Sequence, residues 1–382
     1  MSSYDWIVAG GGFTGSALAY ELSQKGLKVL LLEKDPHYRN ATFYSYGGLA
    51  YWSGTTDLTR QLGKLGIELH RQLAAELEGD TGFRELDLLL YVEPDENPAT
   101  VAQNFSNFTQ QPDILDSKEA SEIEPLLNPD GISGVLRFPH GQIDANSTAM
   151  AYQKALLRNG GEIEYQEVTG LLREGDKVTG VLTKNDSFCA ANTVICAGGL
   201  SRALLQKEEI SIPLYFTHAQ VIRTQPARDL KLNTIVMPAK QQRFALEGSA
   251  EGVDWDNLSN EVAKSILDPG AVQLQDGSFY LGQVSAIATN PHYQLNNKAA
   301  EAQIRSALEP VLPDLAKLPG TCHQCLVAFN TKSIALVGNL KNIEGIYLFN
   351  GFTSTIVFAP PLAKEFANWA TGDKNTLIKQ LI

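Results

Sequence analysis

Three glycines in the spacing Gly10-x-Gly12-x-x-Gly15 follow directly on the apolar run Trp6-Ile7-Val8-Ala9. That run reads as a buried strand, and Ala17, Leu18, Ala19 and Leu22 then form the apolar face of a helix ending near Gly26. Val29-Leu30-Leu31-Leu32 is a second buried strand that closes on Glu33. In such a βαβ unit the first glycine permits the sharp turn, and the second lets the backbone approach a pyrophosphate. The third lets helix and strand touch, with the positive helix start facing the phosphates. Glu33 is placed to accept the two ribose hydroxyls of an adenosine and would repel a 2′-phosphate. The motif predicts a parallel sheet with a dinucleotide at its edge. Alone, it does not separate a nicotinamide from a flavin dinucleotide.

The rest of the chain shows where that unit continues. A long amphipathic helix is predicted through Leu58, Leu62, Leu65, Leu69, Leu73 and Leu77, and another from Ala145 to Leu157. Strand-like segments follow at 162–168 and 177–183, and Thr193-Val194-Ile195-Cys196 runs into Ala197-Gly198-Gly199. The end of the chain returns to this style with a strand at 346–349, Gly351, and a helix predicted from Pro361 to Trp369. Between about Phe83 and Phe138 the pattern is short strands with Pro and Asn, and from Ile212 to about Gly320 short strands alternate with polar loops. The expected fold is therefore α/β plus α+β: a discontinuous Rossmann-type cofactor domain (1–85, 138–212 and 321–382) and a mainly antiparallel β-sheet substrate domain (86–137 and 213–320).

Composition removes several function classes. At 382 residues, 43% hydrophobic and 19% charged, the chain can bury a large core. The net charge of −12 disfavours nucleic acid and anionic membrane surfaces as partners. No apolar run reaches the ~20 residues of a membrane span. Four cysteines do not make a disulfide scaffold, so a cytoplasmic location is expected. No Ser/His/Asp set, H-E-x-x-H or Walker loop occurs, and no metal site is expected.

Four passages resemble the glycine oxidase/D-amino acid oxidase superfamily of flavoproteins, which includes the sarcosine oxidases. They are Tyr4 to Glu33; Ala41 to Gly48; Phe138 to Asp144 with Val168 and Cys196 to Gly199; and Gly351 to Ala363. The resemblance implies a non-covalent FAD and a catalysed hydride transfer from an amine-bearing carbon to flavin N5. It assigns Gly10, Gly12, Phe13, Thr14, Gly15, Glu33 and Lys34 to the dinucleotide. Thr42, Ser45, Gly47 and Gly48 fall in the family's flavin loop, and Val168 is a main-chain contact to adenine. Ala197 and Gly198 form its second glycine turn, and Gly351, Phe352, Thr353, Ser354 and Thr355 lead into the helix facing the pyrimidine ring. Tyr280, His218 and Phe352 are the candidate catalytic residues, with Tyr215 in a neighbouring segment, and His140 reads as a turn residue. An NAD-dependent dehydrogenase and a flavin-binding assembly protein without turnover are the alternative functions.

Three departures from the family bear on chemistry. The passage Leu326 to Lys332 lacks the family's carboxylate-binding Arg, which leaves Arg223, Arg243 and Lys332 as candidates, or a substrate without a carboxylate. Tyr280 stands where sarcosine-type enzymes place an oxygen-activating Lys, and Ile356 where the family has a glycine. Oxygen or a quinone is the expected acceptor. Cys325 of Cys322-x-x-Cys325 aligns with a flavin-anchoring Cys; an anchor, a redox or metal pair, and two packed thiols are the competing readings.

Overall fold

A computed structural model describes residues 3–37, 39–373 and 376–381; the outer limits of the expected segments, at 1 and 382, lie outside them. Among the described residues two sheets carry the fold. The first has the strand order Leu336–Asn339, Ile346–Asn350, Ser187–Ile195, Tyr4–Ala9, Val29–Leu32, Glu162–Glu164. Its central strands are parallel, as continuous apolar runs buried on both faces require. A hairpin, Val168–Glu174 and Lys177–Thr183, is attached to the start of Ser187–Ile195.

One face of this sheet is covered by the helices Phe13–Gln24, Ala145–Arg158 and Thr355–Ala370, and Asp57–Leu77 packs on the last two of these. Thr56 caps the long second helix with its side chain, accepting from the Thr59 N–H. The last helix differs from expectation. It starts at Thr355 rather than Pro361 and carries Pro360 and Pro361 inside it. Prolines disfavour a helix interior because each removes an N–H donor, so this start was not readable locally.

The second sheet has the order Gly320–Phe329, Tyr215–Thr224, Phe279–Ile287, Lys264–Gln273, Ile235–Pro238, Arg84–Val92, Gly134–Gln142, Gly48–Leu49, with Asp113–Asp116 paired to Gly134–Gln142. Its pairs are antiparallel except Ile235–Pro238 with Arg84–Val92. Alternation divides its side chains: Leu89, Tyr91, Phe279 and Leu281 pack with helix Asn297–Leu308, while Leu88, Leu90, Phe138 and Tyr280 pack on the opposite face with Tyr44 and Trp52. Helix Asn297–Leu308 lies where only strands and loops were expected. Gly134–Gln142 and Gly320–Phe329 both belong to this sheet, although the expected segments placed residues 138–142 and 321–329 on the cofactor side. Gly320–Phe329 pairs with Tyr215–Thr224 along its whole length, a long-range register that no local signal carries.

The first core closes around Phe366, which is fully buried and meets Trp6, Phe349 and Trp369 at ring-centroid distances of 5.5, 5.9 and 5.3 Å. Phe366→Ala should cost about 3–5 kcal/mol, the usual range for a buried aromatic truncation. Urea unfolding checks this as a lower midpoint at unchanged slope.

Candidate active site

The glycine turn is built at backbone distance. Gly10 has φ +116°, and a Cβ there would stand 2.5 Å from the Cys196 carbonyl oxygen. A Cβ at Gly15 would overlap the Gly10 carbonyl. The first turn therefore lies directly on the second, Cys196 to Gly199, and the two strand ends that lead into them are joined by Cys196 N–H donating to Ala9 O at 2.8 Å. Gly12 supplies no side-chain cap to its helix, and among the described residues only Phe13 of the first three N–H groups has a partner, donating to Thr42 Oγ1 at 2.9 Å. Glu33 is buried, and its carboxylate accepts from Gly11 N–H at 2.7 Å and Asp35 N–H at 2.9 Å. Lys34 is exposed.

From Phe13 and Thr42 a cavity of about 400 Å³ opens between the second sheet and the starts of helices Phe13–Gln24 and Thr355–Ala370. Thr42, Ser45, Gly47 and Gly48 form one side of it, and Phe352, Thr353, Ser354 and Thr355 another. Gly351, at φ +64°, turns the chain into that second side, and its carbonyl accepts from Asn330 Nδ2. Asn350 Nδ2 bridges to Gly198 O and Ser201 Oγ, which ties the second glycine turn to the same corner. Thr14 lies in the first turn of helix Phe13–Gln24, and Val168 begins the hairpin beyond Glu164, whose carbonyl accepts from Glu33 N–H. The dinucleotide residues named from the sequence thus gather at one edge of the parallel sheet and continue into the cavity.

The expected catalytic residues do not all arrive there. Phe352 is on the cavity wall. His218 is not: it is fully buried, with Nε2 on Ala288 O at 3.2 Å and Nδ1 accepting from Gln324 Nε2 at 2.9 Å. Both ring nitrogens are occupied, and burial lowers its pKa, so it is a neutral structural histidine rather than a proton acceptor. Tyr280 is also off the wall. Its hydroxyl donates to Phe43 O at 2.6 Å, and its ring stacks at 7° on Tyr46, 6.2 Å away. It supports the loop from behind. Tyr215 packs on Trp255 and Phe329. Arg223 pairs with Asp276 at 3.3 Å, and neither it nor Lys332 reaches the wall.

Other groups stand in their place. Tyr46 lines the wall, and its hydroxyl is buried beside Gly282 with no hydrogen-bond partner among the described residues. His140 lies in strand Gly134–Gln142, not in a turn, and faces the cavity on the same side as Leu136 and Phe138. Trp52 Nε1–H donates to its Nδ1 at 3.1 Å, so Nε2 carries the proton, and burial pushes its pKa down to about 3. Arg243 reaches the wall from helix Gln242–Gly248, with Glu247 Oε1 at 3.1 Å from its Nε. Asp268 holds that helix start by accepting from Gln242 and Arg243 N–H groups at 3.0 and 3.1 Å. Period-2 alternation through Leu136, Phe138 and His140 was a signal available for His140. No local pattern marked Tyr46. Cys325 is on the wall, whereas Cys322 is on the opposite face of the strand near Asn297, so the two thiols do not form a pair.

Residues 5–369 match the family described as FAD dependent oxidoreductase. The chain belongs to that family. It is 26% identical to 4-methylaminobutanoate oxidase (formaldehyde-forming) of Paenarthrobacter nicotinovorans over 95% of its own length, and spans only 43% of that relative. It is 27% identical to the hydrogen cyanide synthase subunit HcnC of Pseudomonas aeruginosa, covering 85% of this chain and 87% of the relative. Its fold is similar to glycine oxidase from Geobacillus kaustophilus, with TM-score 0.81 at 18% identity over 100% and 98% of the two chains. The cofactor is FAD, and this flavoprotein is an oxidoreductase. No helix among the described residues is long and apolar enough to cross a membrane.

The residues present suit an FAD: a turn without side chains, an uncapped helix start, the buried Glu33, and a mainly apolar cavity with small residues at Gly47, Gly48 and Ala50. A Cβ at Gly12 would already stand 3.1 Å from Thr42 Oγ1, and a branched side chain would project into the pyrophosphate approach. Gly12→Val should therefore purify folded but without flavin. Far-UV circular dichroism and visible absorbance read the two properties separately.

Proposed function

We propose that this FAD-dependent oxidoreductase oxidises the C–N bond of a small amine or amino acid, and that its substrate carries a carboxylate. The observation that supports this is Arg243 on the cavity wall, where the family's usual Arg is missing. Its Nε faces Glu247, while its two terminal nitrogens make no hydrogen bond among the described residues. A guanidinium fork of that kind matches a carboxylate. The Tyr46 hydroxyl is a second donor, kept in place by the stacked Tyr280 ring. Burial raises the Tyr46 pKa, so it offers a neutral O–H throughout the working range. An unpaired buried hydroxyl costs roughly 1–3 kcal/mol, a cost that a bound ligand removes.

The bound flavin supplies the hydride acceptor. The protein's part is to orient the amine-bearing carbon and exclude water, and His140 is kept neutral beside it by burial. The proposed division of labour is a dinucleotide side built on the eight-stranded sheet and a substrate side built on the nine-stranded one. FAD is held without a covalent link, a reading supported by Cys325, whose buried thiol is pushed up to about 12 and is thus poorly nucleophilic. The four free thiols fit a cytoplasmic location.

Anaerobic mixing with a panel of amines and amino acids tests the reading through loss of flavin absorbance. Arg243→Met and Tyr46→Phe should each weaken binding of the carboxylate-bearing substrate by about 1.5–3 kcal/mol, the scale of a hydrogen bond to a charged group. Amines without a carboxylate should be unaffected by Arg243→Met, and equal losses for both substrate types would reject the assignment.

The electron acceptor we propose is a quinone or similar carrier rather than oxygen. Among the described residues no Lys lines the cavity, and the one cationic side chain that does, Arg243, is paired with Glu247. A fixed cation near the ring would favour superoxide as it forms. Reduced enzyme should therefore reoxidise more slowly in air-saturated buffer than with a quinone or dye; equal rates would restore the oxidase reading.

A further inference from the structure

Pro360 and Pro361 leave two carbonyls of helix Thr355–Ala370, those of Ile356 and Val357, without the donors four residues on. Helix Asp57–Leu77 meets both. His70 Nε2 lies 2.8 Å from Ile356 O. Gly66 presents a bare α-carbon to Val357 O, and any Cβ there would overlap that oxygen. A carbonyl only accepts, so the His70 proton is on Nε2, and Nδ1 remains a buried lone pair with no partner among the described residues. A buried group with one nitrogen unpaired is costly, and an apolar residue would avoid that cost. The bond to Ile356 is what His70 provides that an apolar residue cannot.

The position of that bond gives it a function. Ser354, Thr355 and Ile356 line the cavity, and Ser354 gives the helix no side-chain cap. The other face of the imidazole region is Phe13, stacked at 17° with its centroid 6.4 Å away, and Phe13 also lines the cavity. His70 thus stands between the starts of the two helices that bound the cavity. We propose that His70 is a positioning residue: it replaces the hydrogen bond that Pro360 removes and so holds the cavity-facing turn Ser354–Ile356 in place for the flavin. This rests on reading the cavity as the seat of the flavin. His70 works as a neutral donor, because burial pushes its pKa down to about 4.

The test uses the full-length protein with four variants, His70→Leu, His70→Gln, Pro360→Ala and the double variant His70→Leu/Pro360→Ala. Hydrogen exchange is read at the amides of Phe358 and Ala359, early donors of the helix, and FAD retention is read by flavin fluorescence on dilution. His70→Leu should raise exchange and weaken FAD retention about tenfold, the scale of one hydrogen bond. His70→Gln, whose amide reaches the same carbonyl, should recover most of both. Pro360→Ala supplies the helix with its own N–H, so it should slow exchange by itself and repair the His70→Leu defect. The retention loss should be the same at pH 6 and pH 8, since no charge is involved. Unchanged exchange in His70→Leu, or a defect that Pro360→Ala leaves unrepaired, would overturn the proposal; faster exchange with undiminished FAD retention would overturn its flavin half. Should the wild type hold no FAD, the family reading of the cavity fails, while the exchange comparison still decides the role of His70. If His70→Leu does not fold, Pro360→Ala in the wild-type background decides through its own exchange rate.

Discussion

Backbone contact between the two glycine turns is the constraint on which the remaining architecture depends. A Cβ at Gly10 would stand 2.5 Å from the Cys196 carbonyl, and Gly15 is pressed onto Gly10 itself. Strand Tyr4–Ala9, helix Phe13–Gln24 and the end of strand Ser187–Ile195 can come this close only where side chains are absent. The contact aims an uncapped helix start, Glu33 and the Cys196 turn at one edge of the parallel sheet. The cavity begins where that edge ends, at Phe13 and Thr42.

The second sheet contributes shape and polarity. Its alternation sends one set of side chains to helix Asn297–Leu308 and the other toward the cavity loop. Gly48–Leu49 pairs with Gly141 and Gln142, so the loop through residues 41–48 is hydrogen-bonded into this sheet as well as bonded to the first helix through Thr42. Behind the loop, Tyr280 and Tyr46 stack, and the Tyr280 hydroxyl is bound to Phe43 O. Three polar groups of the wall each lean on a partner: Tyr46 on Tyr280 and His140 on Trp52, both outside it, and the Arg243 helix on Asp268, which lines the wall as well.

Local chemistry made the dinucleotide half of this arrangement legible. Residues 4–33 combine buried runs with glycines whose spacing has one physical use, and the leucine spacing of 58–77 has one helical solution. The substrate half depends on register between distant strands, which no short window contains. His218 looked chemical because histidine titrates near neutrality, yet Gln324 and Ala288 bind both its nitrogens across strands far apart in sequence. Tyr280 was placed correctly in its strand, but its hydroxyl is taken by a loop more than two hundred residues earlier. The start of the last helix was hidden for a related reason. Its prolines argue against a helix until His70 and Gly66 are seen to meet the freed carbonyls.

The central claim is that the glycine turns and the cavity beside the second sheet together seat one FAD. Titration of the flavin-free chain with FAD, followed by flavin fluorescence and repeated with NAD, tests it most directly. Saturation at one FAD per chain, with no change on adding NAD, is the result predicted. Uptake of NAD in place of FAD, or no uptake of either, would contradict it.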